Sequence, residues 1–214
     1  MNIEIEYIDQ NSILSSRSED ISNFAILKHL AIAGQWYLPA LKYYTRIIGI
    51  FLHYVEYLDR TTLNSSKFSL PPTIRRDPTE TGQFSNLVGK GIGDFLSKRL
   101  SGAKVTHNYE AAMILQGIPL SGSRPDLYCI GEAFQFAVEA KGFSAANVSA
   151  REMLRHKNQA NSGPLPVNFC VASVSYNLYT QVKCNYHDPF DRNVELNVTI
   201  NRELNSVHPE TPMP

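Results

Sequence analysis

The sequence predicts an α/β domain: a sheet built around one hairpin, flanked by helices, with a helical element at the N-terminus. Three observations predict it. Leu127 to Ile130 and Ala133 to Lys141 are apolar, partly aromatic runs on either side of Gly131-Glu132. Phe84 to Leu100 carries Leu87, Val88, Ile92, Phe95, Leu96 and Leu100 at helical spacing. Val167 to Val174 (Val-Asn-Phe-Cys-Val-Ala-Ser-Val) has the β-branched, apolar composition of a strand.

The elements follow in order. Residues 1–60 read as a helical accessory element, with helix-like periodicity over Ile21 to Ala33 and Leu38 to Leu58. In the second segment Leu41, Tyr44, Ile48, Phe51, Val55 and Leu58 form an apolar stripe, expected to be a packing face. Lys42, Arg46, His53 and Glu56 interrupt the segment, which therefore falls short of the roughly 18 apolar residues of a membrane span. Tyr37, Tyr43, Tyr44, Tyr54 and Tyr57 suit core packing or a subunit contact better than base stacking. Residues 61–82, with Pro71-Pro72, Arg75-Arg76 and Pro78, read as a linker. The core is expected over 83–202. Its helix over Phe84 to Leu100 stops at Gly102, a first strand runs from Val105 to Tyr109, and the hairpin follows. A short polar helix from Ala150 to Ala160 leads to the strand at Val167. Asn177 to Cys184 and Val194 to Asn201 read as further strands, and 203–214 as a flexible tail. Gly89-Lys90-Gly91-Ile92-Gly93 has no strand before it, so it reads as close helix packing rather than a phosphate loop.

The hairpin carries the chemistry. A Gly-X pair favours a two-residue turn, which would place Asp126 opposite Ala137 and Arg124 opposite Glu139. Side chains alternate along a strand, so Glu139 and Lys141 share a face with Asp126, while Phe134, Phe136, Val138 and Ala140 face the core. Asp126 and Glu139 become diagonal neighbours at roughly 7–8 Å, close enough to converge on one ion. Mg²⁺ prefers oxygen ligands and is usually held by one or two carboxylates. Asp126 and Glu139 fit that role, and Lys141 would orient the attacking water and offset charge on a phosphate. Twenty acidic residues and nine lysines predict about one acid-x-Lys tripeptide by chance. The chain has one, on a predicted strand and behind its sole Pro-Asp, which separates it from a plain surface ion pair.

On Pro125-Asp126 and Glu139-Ala140-Lys141 the segment resembles the PD-(D/E)xK phosphodiesterase superfamily. The resemblance implies a restriction-endonuclease-like core of helix, three strands, helix and strand, covering about residues 84 to 175. It implies a Mg²⁺-dependent nuclease, with Mn²⁺ as a substitute, acting on nucleic acid and on DNA before RNA. Many members carry an acid on the first helix, and Asp94 is the best-placed candidate here, with Glu80 the alternative. Arg151, Arg155 and Gln159 are spaced by four on one helical face. The resemblance implies that such residues meet the nucleic-acid backbone, as Arg124 would beside Asp126. It also implies restriction, repair, mobile-element or anti-phage roles, often as dimers. The rival reading is a catalytically inactive scaffold, with the N-terminal helices as the surface for a second copy or a partner protein.

Composition neither forbids nor favours this. Twenty Lys and Arg balance twenty Asp and Glu, but residues 85–160 hold nine basic against six acidic residues, so the surplus lies around the site. Cys129, Cys170 and Cys184 are odd in number and widely spaced, with no zinc or disulfide pattern. The N-terminus lacks a signal-peptide pattern, and a reducing cytoplasm is the expected compartment.

Overall fold

Phe136, Val138 and Ala140 alternate with Ala137, Glu139 and Lys141, so their strand has one face for each of two helical layers. The structure, a computed structural model, describes residues 1–9, 13–36, 38–58, 65–72 and 77–187. In chain order the elements are β1 (Asn2–Ile8), β2 (Leu14–Asp20), α1 (Asn23–Ile32), α2 (Ala40–Tyr54), α3 (Pro78–Arg99), β3 (Val105–Asn108), α4 (Tyr109–Leu115), β4 (Leu127–Ile130), β5 (Gln135–Gly142), α5 (Ala150–Ala160), β6 (Phe169–Tyr176) and β7 (Lys183–His187). A 3₁₀ turn, Val55–Tyr57, extends α2. The seven strands form one mixed sheet in the order β2-β1-β7-β6-β5-β4-β3. Neighbours are antiparallel except for the parallel pairs β1 with β7 and β5 with β6.

On one face Phe136, Val138 and Ala140 pack with Val88, Ile92 and Leu96 of α3, and α1 backs α3 through Ile26, Leu27 and Leu30. On the other, Ala137 and Tyr128 pack with Tyr109, Ala112 and Met113 of α4 and with Ala160 of α5. The glycine run in α3 is a contact surface, as its sequence suggested. A Cβ at Gly89 would lie 2.2 Å from the Lys141 carbonyl carbon, and one at Gly93 3.0 Å from the Ala140 Cβ. α3 can therefore approach β5 backbone to backbone.

Several expectations are corrected. Residues 1–60 are not wholly helical, because β1 and β2 join the sheet. Ile3 and Ile5 are buried between Glu4 and Glu6, the alternation of a half-buried strand. The expected linker ends early: α3 starts at Pro78, where the Asp77 side chain accepts from the Thr79 and Glu80 N–H groups. The expected packing stripe of α2 faces largely outward. Leu41, Tyr44 and Ile48 are 77%, 62% and 55% exposed, whereas Leu58 at the end of the stripe and Ile47 are buried and Ile50 and Tyr54 pack on the core. Apolar residues surround most of this helix, so periodicity did not select the inner face. The hairpin loop is four residues, closed by Gly131 N–H to the Phe134 carbonyl at 2.9 Å. Leu127 pairs with Val138 and Tyr128 with Ala137, two positions from the two-residue register, so parity is kept. Phe134 leaves the strand to join the rings of Phe136 and Phe169. The strand expected at Asn177 begins at Lys183, after a turn with Asn177 at φ +55. The readings at 194–201 and 203–214, with Tyr37 and Arg75-Arg76, lie outside the described residues.

Candidate functional site

Asp126 enters β4 tied to both neighbours of Glu139. Its N–H donates to the Val138 carbonyl at 3.0 Å, and its Oδ2 accepts from the Ala140 N–H at 3.1 Å. Lys141 stands between the two carboxylates, Nζ 3.1 Å from Asp126 Oδ2 and 3.0 Å from Glu139 Oε1. The three residues therefore meet as the sequence parity required, although the turn that produces the register is different.

Glu139 is the unusual member. Its side chain is fully buried, and neither oxygen receives an aligned hydrogen bond, even though Lys141 lies at ion-pair distance. Burial raises its pKa, with the Asp126 charge adding and His156 and Lys141 opposing. Burial alone would lower the Lys141 pKa, but Asp126 and Glu139 outweigh it and hold the ammonium charged. The α5 helix, opened by a Ser149–Glu152 capping box, turns Met153, His156 and Ala160 inward. His156 Nδ1 lies 3.6 Å from Glu139 Oε1, and it too has no aligned partner.

An open cleft of about 340 Å³ adjoins Asp126, lined by Asn108, Glu110, Arg124 and Gln159. Gln159 Nε2 donates to the Arg124 carbonyl at 3.2 Å. Arg124 does not stand opposite Glu139. Its guanidinium pairs with Glu110, with Nε 2.8 Å from Oε1, at the cleft wall. Arg151 and Arg155 are exposed, with Arg155 Nη2 3.4 Å from His156 Nε2; of the expected backbone contacts, Arg124 and Gln159 line the cleft.

Asp94 belongs elsewhere. It is fully buried, its Oδ2 is 2.6 Å from His29 Nδ1 and 2.9 Å from Lys98 Nζ, and its Oδ1 accepts from the Thr106 hydroxyl. Burial would raise its pKa, but these three partners lower it. Glu80 is exposed in the first turn of α3. Among the described residues neither acid shares a bond with Asp126, Glu139 or Lys141; Asp94 is bound to His29, Lys98 and Thr106 instead. Lys90 of α3 is partly buried and its charge is felt at Asp126. Burial lowers the Lys90 pKa, the Asp126 charge opposes this, and Arg46 and Lys141 reinforce it.

Sequence reasoning missed His156 and Lys90. His156 was legible as the polar position between Met153 and Ala160 on the inward stripe of α5. Lys90 sat inside a glycine run read for packing alone.

Two carboxylates suit a hard cation. Among the described residues no three or more His, Cys, Asp or Glu side chains converge on one point, so a zinc-like ligand set is missing. Mg²⁺, which keeps several waters and takes one or two carboxylates, fits this donor set and the unsatisfied Glu139. No helix among the described residues is long and apolar enough to cross a membrane. Comparison with protein-family models, characterised proteins and solved structures gives no match.

Proposed function

We propose that the protein is a Mg²⁺-dependent nuclease, most simply a DNA endonuclease, built on a restriction-endonuclease-like core. The observation that carries this reading is Glu139, a buried carboxylate without a hydrogen bond, 3.0 Å from a lysine shared with Asp126. A buried carboxylate whose oxygens lack aligned donors is costly even beside an ammonium, and a metal ion would complete its coordination. The element order supports the same reading: α3, β3, β4, β5, α5 and β6 run as helix, three strands, helix and strand, with α4 inserted after β3.

Asp126 and Glu139 would hold Mg²⁺, with Mn²⁺ as substitute. The metal would lower the pKa of a bound water and polarise the phosphoryl oxygen. Lys141 orients the attacking water and offsets charge developing on the phosphate. His156 faces Glu139 from α5, 3.6 Å from its Oε1. Lys90 adds positive charge beside Asp126, and Gln159 with Arg124 forms the cleft wall along which a backbone would lie.

The test is cleavage of labelled single- and double-stranded DNA and RNA with Mg²⁺, Mn²⁺ or EDTA, beside Glu139→Gln. Metal-dependent cleavage lost in the variant supports the nuclease. No cleavage of any substrate by folded protein, with no Mn²⁺ bound, rejects it. One observation favours the scaffold as a second reading: the exposed apolar face of α2, Leu41, Tyr44, Ile48 and Leu52. A face of this kind marks an interaction surface, on which a second copy or a partner protein would dock.

A further inference from the structure

A second cleft of about 290 Å³ opens between α1, the start of α2 and β3. Three lysines line it, Lys28, Lys98 and Lys104, together with Trp36, Tyr43 and Thr106. Lys98 is committed to Asp94 at 2.9 Å. Lys28 and Lys104 pair with no carboxylate among the described residues. The cleft therefore presents two uncompensated positive charges beside aromatic rings.

Trp36 is the chain's one tryptophan, and its placement is not explained by packing. Its side chain belongs to a residue 49% exposed, and its backbone is held at φ +50, a left-handed conformation strained for a bulky residue. Its N–H donates to the Thr106 carbonyl at 2.8 Å, and its ring lies 4.9 Å from that of His107. The residue is thus half exposed, with its ring against that of His107. A flat, open ring beside free cations is the arrangement that stacks an unpaired base and neutralises its phosphates.

β3 joins this cleft to the metal site. Val105 and Thr106 line the first, and Asn108 lines the cleft of Asp126. We propose that Lys28, Lys104, Trp36 and Tyr43 form a subsite for single-stranded nucleic acid, on the opposite flank of β3 from the cleft of Asp126. This rests on the nuclease reading for its biological sense, but its chemistry is separate from the metal.

The test uses the full chain carrying Asp126→Asn, in EDTA, so that cleavage and metal binding do not enter. The emission of Trp36 is followed during titration with a thymidylate decamer, a duplex of equal length, and inorganic phosphate. The expected result is saturable quenching by the single strand, with much weaker responses to duplex and phosphate. Adding Lys28→Gln and Lys104→Gln keeps the fluorophore and lowers affinity, and it reduces the slope of log K against log salt by about 1.4. Trp36→Ala, followed by anisotropy of a labelled decamer, weakens binding roughly tenfold or more. Equal quenching by duplex or phosphate overturns the proposal, as does no quenching by the decamer or a salt slope unmoved by the lysine changes. Binding here by a protein whose wild type cleaves nothing would reject the nuclease and keep this site. Cleavage by the wild type without quenching would do the reverse.

Discussion

Asp94 and Glu139 are both carboxylates with no solvent exposure, and they share one sheet-and-helix framework. Asp94 is surrounded by donors from three elements: His29 of α1, Lys98 of α3 and Thr106 of β3. Its pKa falls. Glu139 has a lysine and a histidine at hand but no aligned hydrogen bond, and its pKa rises. Burial is therefore a poor guide to role. The completeness of the surrounding donors separates the two: Asp94 is fully partnered, and Glu139, under the proposed function, would complete its coordination with a cation.

The largest difference should be in activity. Glu139→Gln is expected to lower cleavage about 10³-fold or more, measured as initial rate at saturating Mg²⁺, while the thermal midpoint stays level or rises because a buried carboxylate that is costly to ionise has been removed. Asp94→Asn reverses the pattern. It should cost about 3 kcal/mol in denaturant unfolding and leave Mn²⁺ binding intact in whatever fraction stays folded. If Asp94→Asn abolishes metal binding in folded protein, the two carboxylates do not have separate roles.

Gly89→Ala probes the geometry under the site. A Cβ there would strike the Lys141 backbone at 2.2 Å, so α3 must lift from β5. The expected loss is about 3 kcal/mol or more, with cleavage falling as well because Lys141 moves. An unchanged melting curve would mean that α3 does not approach β5 this closely.

The pH dependences should diverge in sign. The folded Asp94 pKa lies below its unfolded value, so its stabilisation is complete above the unfolded pKa, near 3.8. It is lost as pH falls through the folded value. Asp94→Asn should therefore flatten the acid limb of a stability profile. The folded Glu139 pKa lies above its unfolded value, near 4.5. Its ionisation lowers metal-free stability as pH rises from 4.5 through the folded pKa, and Mg²⁺ affinity is lost as pH falls through that same value. Metal-free Glu139→Gln should remove this smaller step, seen in melts taken across the window.

Much of the site was legible because a strand's period is two residues. Asp126, Glu139 and Lys141 meet although the turn was misread, since an even register shift leaves every side chain on its face. The period also showed Phe136, Val138 and Ala140 as core. It could not show that Phe134 would fold back, which depends on Phe169 far along the chain. The partners of Asp94 on α1 and β3 were not legible, because helix position alone does not reveal them. For α2, apolar residues on nearly every side left the inner face undetermined. The strand at Ile3 and Ile5 was visible as alternation and was overlooked beside the helices that follow.

The most direct test of the central claim is Mn²⁺ binding followed by electron paramagnetic resonance on the wild type, Glu139→Gln and Asp94→Asn. The account predicts a site in the wild type that disappears in Glu139→Gln and persists in folded Asp94→Asn. Absence of a site in the wild type, or one untouched by Glu139→Gln, would contradict it.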